Sequence, residues 1–215
     1  MSLVRMKNYV GSAARFFFKT LRTIKGFHSA DDVKGDEIFG EFAYLAINGS
    51  LLVEWLLKLI CIQEGISSPK IHELHTLYEK LNEELQEKIF NVYKEISTKF
   101  YEKCKNSLIE REHQLKQEGL SGKDLKKFLV NSKDDFDNLL KISTKVFVEV
   151  RYFYEKDFYQ QKVSVTFLIL LVISLAKIAN VDIGKNCVCC LLEFIPDESQ
   201  RNYSLVSGCY EGFCD

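Results

Sequence analysis

Ala43-Tyr44-Leu45-Ala46-Ile47-Asn48-Gly49-Ser50-Leu51-Leu52-Val53-Glu54-Trp55-Leu56-Leu57-Lys58-Leu59-Ile60-Cys61-Ile62 is apolar almost all round when set on a helical period. A helix with no polar face has to be enclosed, so this segment is predicted to be the central and most buried element of a helical bundle. Asp36 and Glu37 open the helix, where acidic side chains suit the positive end of the helix dipole. It runs to about Gln63, and Gly65 stops it.

Working outward toward the N-terminus, Val10, Ala13, Ala14, Phe17, Leu21 and Ile24 recur at helical spacing, with Arg15, Lys19 and Arg22 on another face. They predict a first helix from Tyr9 to Lys25, and residues 26–35 read as a loop. Toward the C-terminus, Ser67-Ser68-Pro69 prepares a new helix, with Ser68 as cap and Pro69 at its first position. Leu74, Leu77, Tyr78 and Leu81 form its inward stripe. Asn82 with Glu83 and Glu84 is a fresh cap and first turn, continued by Leu85, Ile89, Val92, Ile96 and Phe100. The alternating charge up to Gln117 predicts a long solvated helix projecting from the core, ended by Gly119. Two capping boxes follow, Ser121 with Asp124 and Ser132 with Asp135. The second opens a helix bearing Phe136, Leu139, Leu140, Val146, Phe147, Val150 and Tyr154 and extending to about Lys156. A last core helix is expected from about Tyr159 to Asn180.

The fold class is therefore all-α: an antiparallel helical bundle over residues 1–180, with a cysteine-rich extension over 181–215 packed on it. Only Pro69 and Pro196 interrupt the chain, and hydrophobic and charged residues at 47% and 27% are ordinary for a globular protein. Seven cysteines are an odd number for a disulfide framework, and no signal-peptide pattern opens the chain. Reduced thiols and a cytoplasmic location are expected. The longest uncharged stretch, Val163 to Ala176, is short for a bilayer span and contains Ser164, Thr166 and Ser174, so it reads as a core helix, with no membrane partner.

A net charge of −1 gives no global attraction to nucleic acid. The basic residues Arg5, Lys7, Arg15, Lys19, Arg22 and Lys25 precede any acidic one, a bias shared with transit peptides but read here as the solvated face of the first helix. Four groups could carry chemistry. Glu54 and Lys58, one turn apart in the apolar run, form either an internal pair at the edge of the core or part of a functional cleft. His72 and His75, three apart, could face one site and bind a metal or act as acid and base, although ordinary helix-start chemistry is the favoured reading. Arg151 with Glu155 is either a surface ion pair or a phosphate-binding arginine beside aromatic rings. Cys187, Cys189, Cys190, Cys209 and Cys214 lack the paired spacing of a zinc ribbon and read as apolar thiols. No metal and no cofactor is implied. Neither a glycine-rich phosphate loop nor a G-x-S-x-G elbow is present.

Taken in order, three blocks resemble the HEPN (higher eukaryotes and prokaryotes nucleotide-binding) family over about residues 8 to 180. The segment Leu45 to Lys58 is similar to its signature helix, in which a small-residue step precedes a glutamate and a leucine-lysine pair. HELHTLYEKLNEELQEKI, from His72 to Ile89, is similar to its histidine-acid-leucine block, and FVEVRYFYEK, from Phe147 to Lys156, to its aromatic-arginine-tyrosine helix. The resemblance implies a bundle of four or more helices, homodimerisation, and a role in RNA cleavage, nucleotide binding, toxin–antitoxin pairing or defence. A nucleotidyltransferase-type protein would be the partner in a toxin–antitoxin pair. Catalytic members are metal-independent ribonucleases using an arginine followed four to six residues later by a histidine. No histidine follows Arg151 here, the last being His113; Arg22 and His28 have the spacing but lie at the end of the first helix.

The expectation is a non-nucleolytic protein that binds a nucleotide, RNA or a protein partner through a cleft involving Glu54, Lys58, His72, Arg151 and Glu155. The alternatives are a diverged ribonuclease toxin and a structural helical interaction module.

Overall fold

The apolar run is helical, and in a computed structural model it lies within α2 (Gly35–Gln63). The structure describes residues 2–26, 35–67, 70–117, 130, 132–150, 165–183, 192–196 and 203–207. The other helices are α1 (Leu3–Gly26), α3 (Leu74–Glu79), α4 (Glu83–Gln117), α5 (Lys133–Val150) and α6 (Val165–Ala179). Every regular element among the described residues up to Ile183 is a helix, so the protein is all-α there. Beyond it, β1 (Leu192–Pro196) and β2 (Tyr203–Ser207) pair antiparallel, with Phe194 opposite Leu205. The sequence reading did not specify this hairpin.

Local signals explain most of the boundaries. α1 starts earlier than Tyr9 because Ser2 serves as its cap: its Oγ accepts from the Arg5 N–H at 3.4 Å and its carbonyl from Met6 at 3.1 Å. At the start of α4, Asn82 Oδ1 accepts from the Leu85 N–H at 2.8 Å. The capping box of α5 is reciprocal: Asp135 N–H donates to Ser132 Oγ at 3.1 Å and Ser132 N–H to Asp135 Oδ2 at 3.2 Å. α2 ends in a Schellman motif. Gly65 has φ +75° and donates to Ile62, while Ile66 donates to Cys61, as this left-handed end requires. α6 ends in the same way on Asn180, φ 52°, with Val181 donating to the Ala176 carbonyl at 2.9 Å. Asparagine tolerates this backbone region better than most residues.

Two expectations are corrected. Residues 70–73 are not helical, so the third helix begins at Leu74 and not at Pro69; Ser68 and Pro69 themselves lie outside the described residues. Nor is the 43–62 segment the most buried element. Twelve of the fifteen residues of α6 are buried, against about two thirds of the apolar segment Ala43–Gln63, which is long and apolar enough to cross a bilayer by length and composition. The physical reason is that α2 keeps a partly exposed strip, including Tyr44, Leu51 and Trp55, whereas α6 carries one charge, Lys177. Gly119, Ser121, Asp124 and the tail cysteines lie outside the described residues.

α2 packs on α1, α3, α5 and α6. Gly49 permits close approach to α6, since a Cβ there would sit 3.3 Å from the Leu168 Cβ. Farther along, Gln63 Nε2 donates to the Ala179 carbonyl at 3.1 Å, so α2 and α6 run in the same direction. The residues leaving α6 return to α1: Gly11 leaves room for the Asp182 carbonyl, which a Cβ would approach to 2.7 Å, and Arg15 donates to that carbonyl at 2.8 Å. Val181 is buried there, so the bundle continues past Asn180 to this contact.

Fully buried Phe136 of α5 joins α3, α4 and α6 through rings at 5.5 Å (Tyr78), 5.9 Å (Phe90), 5.3 Å (Tyr93) and 5.7 Å (Phe167). Burial, with the charges of Asp137 and Glu87 behind it, pushes the Tyr78 phenol up, so it stays a neutral donor to the Gln86 carbonyl at 2.9 Å. Replacing Phe136 by Ala should cost about 3 to 5 kcal/mol in urea unfolding. Phe16→Ala, at a ring 64% exposed, should cost well under about 1 kcal/mol.

Candidate functional site

Glu54 and Lys58 lie one turn apart on α2, and the helix alone brings them together: Lys58 Nζ is 2.8 Å from Glu54 Oε1. The carboxylate is nearly closed off from solvent, with its side chain 6% exposed and that of Lys58 15%. Burial of a lone carboxylate would cost several kcal/mol, and the ammonium offsets that cost. The same Oε1 meets a second partner from outside the helix, His72 Nδ1, at 3.0 Å. This imidazole is 70% exposed. A buried carboxylate thus orients a surface ring through one nitrogen, and what the cluster offers to solvent is chiefly the histidine. The positive charge of Lys58 is turned inward.

His72 is carried on the extended segment before α3, whose cap position, Glu73, has φ −79° and ψ 117° and makes no side-chain cap bond. The cap comes from another helix. Thr144 Oγ1 of α5 accepts from the N–H groups of Leu74 at 3.1 Å and His75 at 3.4 Å while donating to the Leu140 carbonyl at 3.1 Å. This replaces the local cap that Ser68-Pro69 suggested, and it fixes where the segment bearing His72 leaves α3. Nothing in the sequence marks Thr144, since a threonine within a helix ordinarily bonds only its own preceding turn.

The two histidines do not share a site. His75 Nδ1 lies 3.3 Å from Glu79 Oε2, one turn on along α3, and its ring is 17% exposed. The acid-base pairing considered for His72 and His75 is therefore not assembled by this backbone. Arg151, Glu155 and His28 lie outside the described residues. Among the described residues no cluster of His, Cys, Asp and Glu could hold a metal ion. Cys61 is buried, its thiol 3.9 Å from the Leu77 carbonyl, and burial pushes it up, away from the reactive thiolate.

An open depression of about 670 Å³ lies where α3, α4 and α5 meet, lined by Glu79, Glu83, Glu84, Gln86, Glu87 and Lys133. Four carboxylates against one lysine repel a phosphate, so this concavity does not suit the ligand class expected from the sequence. His72 and Lys58 are not part of its wall. No family model, no curated protein and no solved structure matches this chain.

Two predictions follow from the geometry. Glu54→Ala leaves Lys58 largely buried without its partner and should lower stability by about 3 kcal/mol, whereas His72→Ala, at an exposed ring, should cost less than about 1 kcal/mol; urea titration reads both. Thr144→Val removes the acceptor from two backbone donors and should cost about 1 to 2 kcal/mol, with Thr144→Ser close to the parent. Amide hydrogen exchange at Leu74 and His75 should accelerate in the valine variant only.

Proposed function

We propose that this chain is a HEPN-like, non-nucleolytic protein that binds a nucleotide or RNA phosphate at the surface around His72. The observation that supports it is the exposed imidazole held by a buried carboxylate. Such a ring is oriented before a ligand arrives and keeps its Nε2 available to solvent. In this reading Glu54 and Lys58 position the histidine, and Arg151 supplies the guanidinium for a phosphate, beside Glu155. The reading includes a cytoplasmic homodimer and a nucleotidyltransferase-type partner in a toxin–antitoxin or defence setting.

Cleavage needs a second proton-transfer group, and removal of a general acid or base typically forfeits about 10²- to 10⁴-fold in rate. Glu54 is a poor candidate, because its Oε1 is already shared between Lys58 and His72. No histidine follows Arg151 at the spacing used by catalytic members of the resembled family.

The test is calorimetric titration with a nucleoside monophosphate beside a cleavage assay on mixed single-stranded RNA. Wild type should bind and cut feebly at most. His72→Ala and Arg151→Ala should each weaken nucleotide binding roughly tenfold or more. Unchanged affinity in both variants would remove the site. Robust cutting abolished by Arg151→Ala or His28→Ala would instead make the protein a ribonuclease.

A further inference from the structure

The first helix carries a surface that the His72 site does not use. Its core face consists of Val10, Ala14, Phe17, Phe18 and Leu21, all buried. On the outward face two aromatic rings stand in solvent, Tyr9 at 56% and Phe16 at 64% exposure. They are two helical turns apart, roughly 10 Å along the axis. The first thirty residues hold six of the 29 basic side chains and none of the 30 acidic ones, and Asp182, from beyond α6, is an acidic neighbour that pairs with Arg15. Arg5 lies 5.7 Å from the centre of the Tyr9 ring, so a cation and a ring are presented together. Farther along the helix Lys19 and Arg15 are engaged within the protein, Arg15 with Asp182.

We propose that this face of α1 is a docking platform for single-stranded nucleic acid, whose bases stack on Tyr9 and Phe16 while Arg5 contacts the phosphates. Charge complementarity selects a polyanion, and exposed rings among cations are the means by which single strands are held without reading their sequence. A duplex keeps its bases inside and cannot use the rings. An anionic membrane surface fits less well, because the helix's continuous apolar face is already spent in the core, and the exposed Leu3, Val4, Tyr9 and Phe16 do not form one continuous stripe along the helix that could insert. Stacking and phosphate contact do not read the sugar, so RNA and DNA strands should both bind.

The experiment is fluorescence anisotropy on the full chain with short labelled oligouridylate and oligothymidylate, and a duplex of equal length as control. Both single strands should bind more tightly than the duplex, with affinity falling steeply as salt rises. Tyr9→Ala and Phe16→Ala should each weaken binding about 5- to 100-fold. Phe16→Trp should retain it and Phe16→Leu should not, which separates a stacking surface from mere apolar area. Arg5→Gln should flatten the slope of log affinity against log salt by about 0.7. Circular dichroism confirms folding of each variant. Tyr9→Ala and Phe16→Ala should leave the nucleoside monophosphate titration at the His72 surface unchanged, so this proposal and the nucleotide site stand or fall separately. Equal affinity in the wild type, Tyr9→Ala and Phe16→Ala overturns it. So does sedimentation with phosphatidylserine vesicles in the absence of oligonucleotide binding.

Discussion

Enclosure of α6 is the constraint on which the bundle depends. A helix with twelve of fifteen residues buried exposes almost no surface that water could solvate, so its neighbours must surround it. Close approach is what makes this possible. At Gly49 the backbone of α2 comes near enough to Leu168 that a methyl group would press on it, and at Gly11 the backbone of α1 meets the chain leaving α6. Both glycines act by having no side chain at a crossing. The left-handed turn at Asn180 then directs Val181 back into the core and Asp182 toward Arg15.

The interior polar groups follow from the same enclosure. Ser174 on α6 has no solvent to bond, and its Oγ donates to Leu170 one turn back. Glu54 is the only charged residue among the buried ones described, and it has two nitrogen partners on one oxygen. Of these, Lys58 comes from the next turn of the same helix and His72 from the following segment. Neutralisation inside leaves the histidine as the group through which the cluster reaches the surface, so the site is a consequence of packing a carboxylate into an apolar helix.

Charge is segregated over the molecule although its net value is close to zero. The residues of α1 carry only basic charges, while the depression between α3, α4 and α5 is acidic. The four carboxylates of the depression repel an anion over a range set by the roughly 10 Å screening length of physiological salt. Net charge conceals this arrangement because it sums over regions that no ligand meets together.

By itself the sequence determined what is encoded within a turn or two of helix. The caps at Asn82 and Ser132, the end of α2 at Gly65, the inward stripe of Leu74, Leu77, Tyr78 and Leu81 and the Glu54–Lys58 pair all involve partners a few residues apart, at spacings fixed by the helical period. Tertiary structure decided the rest. Thr144 caps α3 from 70 residues away, Arg15 holds Asp182 across 167, and His72 finds Glu54 across 18 while His75 turns to Glu79. Which helix is most buried was likewise undecidable from composition: α2 and α6 are both apolar, and the partly exposed strip of α2 distinguishes them. The physical reason is that periodicity gives each residue a face on its own helix, whereas the neighbour covering that face depends on how all the helices pack at once.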